Sequence, residues 1–161
     1  MSIFTRLTDI VNSNISALLD KAENPEKMIR LVIQEMEETL VEVRSSTAKV
    51  IADKKTLKRR IDTLNKQAHE WGQKAELALT KGREDLAKAA LVERSAINAS
   101  ISTTETDLAK LDETLDKLSS EIELLQAKLN DARARQKTIL LRTKATESRL
   151  NVHDKLRSHT I

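Results

Sequence analysis

The feature that most constrains the fold is a heptad pattern running from Ile29 to Ala78. At alternating steps of four and three residues, thirteen of its fifteen positions are apolar. The stretch contains no proline, and Gly72 is its only glycine. Seven heptads in one register predict a long helix with a single narrow apolar seam. Because such a seam is unstable in water, the rest of the chain has to supply a partner for it.

A second heptad pattern, from Ile97 to Ile139, supplies that partner, since eleven of its thirteen positions are apolar. Between the two patterns lies Gly82, which can adopt the left-handed conformation that ends many helices. We therefore predict an all-α fold in which residues 25–143 form a long antiparallel coiled-coil hairpin with its turn near residues 80–85. The alternative is one unbroken helix through Gly82, because an isolated helical glycine costs only about 1 kcal/mol.

Blocks of opposite charge agree with the hairpin. Residues 44–60 carry seven basic side chains and one acidic side chain, whereas residues 105–121 carry six acidic and two basic ones. If the turn centres near Gly82, the residue numbers of each pair of facing residues add up to about 165. The two charge blocks then face each other. Flanking charges of this kind fix the register and the antiparallel orientation of a coiled coil.

Composition excludes most other classes of protein. The 161 residues include two glycines, one proline and no cysteine, which leaves too few turn residues for a sheet and no thiolate metal site. The net charge is +3, but it comes from alternating blocks without a series of aromatic side chains, so we expect no direct nucleic-acid binding. His69, His153 and His159 are scattered, and no phosphate-binding glycine loop occurs. The sequence therefore predicts neither an enzyme nor a metal or cofactor site.

An amphipathic helix precedes the hairpin. Over residues 2–22, apolar residues fall at helical spacing on one side, and mostly Ser, Thr, Asn and Asp fall on the other. The apolar side is formed by Ile3, Phe4, Leu7, Ile10, Val11, Ile15, Leu18 and Leu19. One interpretation is that the helix packs back on the hairpin as a third helix. The other is that its apolar side lies in a membrane interface.

A break separates this helix from the hairpin. Asn24 is a favourable N-cap and Pro25 a favourable first helical residue. Proline also disfavours helical geometry at the residue before it. Residues 1–24 are therefore predicted to be a unit of their own, hinged at Asn24 and Pro25. At the other end the seam fades, and residues 144–161 are expected to be a helical extension towards further helices of a longer protein.

Several segments resemble the phage shock protein A family, and the similarity runs across nearly the whole chain. The segments are Met-Ser-Ile-Phe-Thr-Arg-Leu at the start, Glu23-Asn24-Pro25, residues 31–37, Glu70-Trp71, residues 74–79, residues 83–87 and residues 132–136. That family also contains the plastid vesicle-inducing proteins and is related to the ESCRT-III membrane-remodelling proteins.

The resemblance implies a role in the bacterial response to inner-membrane stress. Family members bind the cytoplasmic face of the membrane, with anionic or stressed lipids as partners, and assemble into homo-oligomeric scaffolds. Some also bind and inhibit a AAA+ transcription activator that works with sigma-54. The alternative is a purely structural or partner-binding coiled coil without membrane activity. Apolar residues outside the seam register, such as Leu31, Val41 and Leu124, are candidates for lateral contacts between copies or with the activator.

Overall fold

The computed structural model describes residues 3–159 and contains four α-helices in that part of the chain. They are α1 (Ile3–Asn12), α2 (Ile15–Lys21), α3 (Pro25–Thr80) and α4 (Glu84–His159). No strand occurs between residues 3 and 159. The outer ends of the predicted segments 1–24 and 144–161, namely residues 1, 2, 160 and 161, lie outside the described residues. The all-α class and the helical hairpin are confirmed.

The chain divides into two compact units, each containing part of the α3–α4 pair. One unit combines the chain up to Ser45 with the chain from Ser119 onwards, and the other is Ser46–Leu118. In the first unit Arg133 Nη2 lies 3.0 Å from an Oε1 oxygen of Glu37. In the second, Lys54 Nζ lies 2.5 Å from Asp112 Oδ1. These pairs are close to the predicted facing register, so α3 and α4 are antiparallel.

The two heptad patterns form the contact surface of α3 and α4. None of their seam positions is exposed. In the second unit many of them, including Leu57 and Leu108, are half-buried, because two helices cannot enclose a seam from every side. In the first unit Ile29 and Leu125 are completely buried. That unit also contains α1 and α2, which cover the seam as a third layer.

Gly82 forms the turn between α3 and α4. Its φ of 71° places it in the left-handed region. The Gly82 amide donates to the Leu79 carbonyl at 3.0 Å, and the Arg83 amide donates to the Ala78 carbonyl at 2.8 Å. These two bonds are those of a Schellman motif, which satisfies the last carbonyl groups of a helix. Glycine suits this position because a left-handed conformation has no Cβ clash there.

The two glycines give a paired stability prediction. We expect Gly82→Ala to lower the free energy of unfolding by about 1–2 kcal/mol, because the cost lies in the left-handed backbone. No atom lies within 4 Å of a Cβ built at Gly82, so crowding adds nothing. Gly72→Ala is expected to raise the same quantity by about 0.5–1 kcal/mol, since Gly72 lies within α3. Its added Cβ would meet Arg94 at an ordinary 3.6 Å.

Urea denaturation of both variants measures these changes. A destabilising effect of similar size at Gly72 would contradict the assignment of the Gly82 cost to its positive φ.

The prediction of a single N-terminal helix over residues 2–22 is wrong in one respect, because this segment forms two helices, α1 and α2. The Ser13 hydroxyl donates to the Ile10 carbonyl at 2.6 Å, which satisfies a group at the end of α1. The Asn14 side chain accepts from the Ala17 amide at 3.1 Å and caps α2. Serine and asparagine compete with the helix through such local bonds. The apolar spacing continues across residues 13 and 14, so it gives no sign of the break.

Candidate functional site

The candidate site is the apolar face of α1 and α2, which packs against the hairpin within the first unit. Leu7 is 1% exposed and Ile15 is 5% exposed, so these two side chains anchor the helices. Phe4 and Leu18 remain 38% and 41% exposed. The other four residues of the predicted face are half-buried, and they are Ile3, Ile10, Val11 and Leu19. The structure thus shows the third-helix arrangement and leaves two large apolar side chains accessible to solvent.

One arginine connects α1 to α3. Arg6 Nη1 lies 2.8 Å from Glu42 Oε2, and Arg6 Nη2 lies 3.2 Å from Glu35 Oε1. Nη2 also lies 3.4 Å from the Thr39 hydroxyl, and Thr39 is completely buried. The hydrogen bond to Glu35, followed by the charge of Glu42, raises the pKa of Arg6 above its already high value. Arg6 is therefore a cation at every physiological pH, and deprotonation of the guanidinium cannot open this contact.

Cations of α4 hold the other half of the N-terminal segment. The ammonium of Lys128 donates to the carbonyl of Ser13 at the break between α1 and α2. Arg135 Nη1 donates to the Ser16 hydroxyl at 2.5 Å, while its Nε donates to Asp131 at 2.9 Å. Arg6, Lys128 and Arg135 thus connect α1 and α2 to the hairpin through positively charged groups. Such contacts are weakened by salt where they are exposed.

The link between α2 and α3 contains the predicted hinge residues. Ala22 ends α2 in an extended conformation, with φ −77° and ψ 134°. The Asn24 side chain accepts from the Lys27 amide at 3.2 Å and caps α3, whose first residue is Pro25. These features place a non-helical connection between the two N-terminal helices and the hairpin. A hinge function for Asn24 and Pro25 remains a prediction.

Sequence reasoning did not single out Arg6 or Thr39 as contacts. Arg6 lies on the polar side of α1, next to the anchor Leu7, and Thr39 lies beside the seam residue Leu40. Thr39 could have been recognised as a small residue flanking an otherwise apolar seam. The partners of Arg6 could not have been recognised from the sequence, because they depend on which face of the hairpin α1 packs against.

A groove near the turn lies outside the predicted site, within the second unit. It measures about 630 Å³ and is lined by Trp71, Leu77, Leu86 and further residues of both helices. Trp71 occupies a position of the first heptad pattern, and the structure leaves it half-buried. Lys74 Nζ lies 4.4 Å from its ring centroid, which is a cation–π geometry. The seam at this end is partly covered by a lysine instead of by another apolar side chain.

None of the helices between residues 3 and 159 is both long enough and apolar enough to span a bilayer. Histidine and carboxylate side chains in the same part of the chain do not gather into a group of three or more that could hold a metal ion.

Residues 2–160 match the profile of the PspA/IM30 family. The membrane-associated protein Vipp1 of Synechocystis sp. is 31% identical over 156 residues, which cover 97% of this chain and 58% of Vipp1. The chloroplastic membrane-associated protein VIPP1 of Arabidopsis thaliana is 32% identical, over 96% of this chain and 47% of the relative.

Another relative is named for phage shock protein A. The phage shock protein A homolog of Bacillus subtilis is 34% identical over 142 residues, which cover 84% of this chain and 63% of the homolog. The chain therefore spans about half to two thirds of the length of these relatives. Since the family profile covers nearly every residue, this chain belongs to the PspA/IM30 family.

Proposed function

We propose that this protein binds membranes through α1 and α2, whose apolar face enters the bilayer interface. The observation that carries the proposal is a short amphipathic helix pair with Phe4 and Leu18 accessible to solvent. The pair is joined to α3 by the non-helical link at residues 22–24. It can therefore leave the hairpin without disrupting α3. The names of the Vipp1 relatives, which call those proteins membrane-associated, support the same proposal.

Apolar burial is the main source of affinity in this proposal. Residues 3–23 contain two basic and three acidic side chains, so attraction to an anionic surface, at about 1 kcal/mol per basic residue, nearly cancels. A helix with few charges and large apolar side chains binds where lipid packing is loose. The ligand we propose is accordingly the stressed or strained bilayer, on the cytoplasmic face of the inner membrane. A protein with this preference is suited to a response to membrane stress.

We further propose that several copies act together as a scaffold. Outside the seam, Val41 is 68% exposed, Leu141 is 58% exposed and Leu31 is 51% exposed. Exposed apolar residues repeated along a helix are typical of surfaces that contact other copies. One helix pair binds a bilayer weakly, but an array of linked copies gains affinity through multivalency.

Co-sedimentation with vesicles tests the membrane proposal. We expect the chain to bind small, strongly curved vesicles of phosphatidylcholine and phosphatidylglycerol more than large vesicles of the same lipids. Most of this binding should persist at about 0.5 M salt, where charge attraction is screened within a few ångströms. Binding that ignored curvature and vanished in salt would instead assign the contact to the basic block around residues 54–60. Absence of binding would favour a structural or partner-binding coiled coil.

Regulation of a AAA+ activator that works with sigma-54 is a second proposal, and it rests mainly on the resemblance. The observation that favours a protein partner is the exposure of apolar side chains on the hairpin, with Val41 and Val92 each 68% exposed. We expect the purified chain to lower the ATP turnover of such an activator at saturating concentration. Val41→Asp should weaken this inhibition if the surface is the contact. Unchanged ATP turnover in the presence of the unmodified chain would contradict the proposal.

A further inference from the structure

Arg6 occupies an unusual place in the candidate site. It is the only basic residue of α1, and its guanidinium reaches α3 at three positions that share one helix face. These positions are Glu35, Thr39 and Glu42. Side chains three and four residues apart are neighbours on a helix surface, so a single planar fork can span all three. We call this set of contacts the Arg6 latch.

The Arg6 latch lies beside the most deeply buried residue of α1. Leu7, the next residue in the chain, is 1% exposed, whereas the Arg6 side chain is 29% exposed. The carboxylates of Glu35 and Glu42 are about half exposed, at 52% and 49%. The apolar anchor is therefore next in the chain to an ionic contact that solvent, salt and other anions can reach. Partly exposed ion pairs of this kind are weak.

The chemistry of the Arg6 latch matches that of a lipid surface. A guanidinium makes the same paired hydrogen bonds to a phosphate as to a carboxylate. When α1 lies on a bilayer, phosphate groups of the lipids can replace Glu35 and Glu42 as acceptors. Leu7 meanwhile exchanges one apolar environment for another. The docked and membrane-bound states therefore satisfy the same groups with different partners.

We propose that the Arg6 latch is an autoinhibitory contact, which holds the apolar face of α1 on the hairpin until lipid phosphates compete for Arg6. This inference rests on the proposed membrane function, because it concerns the release of the same helices. The latch raises the amount of accessible lipid needed for binding. Loosely packed bilayers are favoured because they offer both the defect for Leu7 and the phosphate for Arg6.

The acceptors can be removed without changing α1. In the full chain, Glu35→Gln combined with Glu42→Gln is expected to increase the fraction bound to vesicles of phosphatidylcholine and phosphatidylglycerol by about two- to tenfold at limiting lipid. The matched control is Glu38→Gln combined with Glu70→Gln, which removes the same charge from α3 at positions that do not contact Arg6. The comparison separates the latch from the general effect of added positive charge.

A second measurement follows the latch without any lipid. The chain has no cysteine, so Thr8→Cys provides one attachment point for a nitroxide label on the exposed side of α1. We expect higher label mobility in the variant lacking Glu35 and Glu42 carboxylates than in the control pair. Arg6→Gln should raise mobility similarly, yet it should bind vesicles less than the acceptor variant because it also lacks the contact with lipid phosphate.

The two measurements distinguish failure of the latch from failure of the membrane function. Equal label mobility in the acceptor variant and its control would overturn the latch, even if all the proteins bind vesicles. Higher mobility in the acceptor variant, with no vesicle binding by any of the proteins, would support the latch as a docking contact. That second result would refute both the proposed membrane function and the autoinhibitory role.

Discussion

Phe4→Glu is expected to reduce binding to strained vesicles by at least about tenfold. Burial of a phenylalanine side chain contributes about 1.5–3 kcal/mol, and glutamate replaces that gain with the cost of burying a charge. Phe4 is 38% exposed in the docked arrangement and Leu7 only 1%, so a substitution at Phe4 should disturb docking less than one at Leu7. Co-sedimentation with small vesicles, together with the helical signal of the free protein, measures both quantities.

Thr8→Glu is the matched control for this prediction. Thr8 lies on the exposed side of the same helix, and the substitution adds the same charge without touching the apolar face. A similar loss of binding in both variants would show that repulsion by anionic lipid, not loss of insertion, causes the effect. Leu7→Glu is less informative because Leu7 is also the buried anchor of the docked state. Loss of the Leu7 side chain would affect both docking on the hairpin and insertion into the bilayer.

The hairpin could be predicted because its signal is local and repeated. Each heptad of α3 indicates the same apolar seam, and the charge blocks indicate the same pairing of α3 with α4. Single polar positions such as Thr47 or Lys54 therefore do not disturb the prediction. The family could be recognised for a related reason, since the breaks and the seam both match. Lys54 agrees with the predicted pairing of α3 and α4, because it contacts Asp112 of the other helix.

The details of the N-terminal site could not be predicted in the same way. The break at Ser13 and Asn14 depends on two hydrogen bonds of short polar side chains, while the apolar spacing passes through it unchanged. A polar cluster within an amphipathic helix is compatible with either a solvated face or a cap. The contacts of Arg6 depend on long-range docking, with partners 29 to 36 residues away. Periodicity carries no information about such contacts.

Leu125→Ala is expected to produce the largest loss of stability among the substitutions considered. Leu125 is completely buried in the first unit, where the seam of α4 is covered by a third helical layer. Truncation of a buried leucine leaves a cavity that packed helices fill only in part, and it typically costs about 2–5 kcal/mol. For a chain of this size the midpoint of thermal unfolding should fall by about 5–15 °C.

Leu124→Ala provides a control one residue away. Leu124 is 51% exposed, so the same chemical change removes little buried area, and we expect its effect to stay within about 0.5 kcal/mol. The two variants share helix propensity, length and charge, and they differ only in the side of α4 that is altered. Calorimetry of both proteins therefore tests the orientation of α4 directly. Equal shifts in the two would mean that α4 does not present Leu125 to the hairpin seam, and a larger shift for Leu124 would require a rotation of the whole helix.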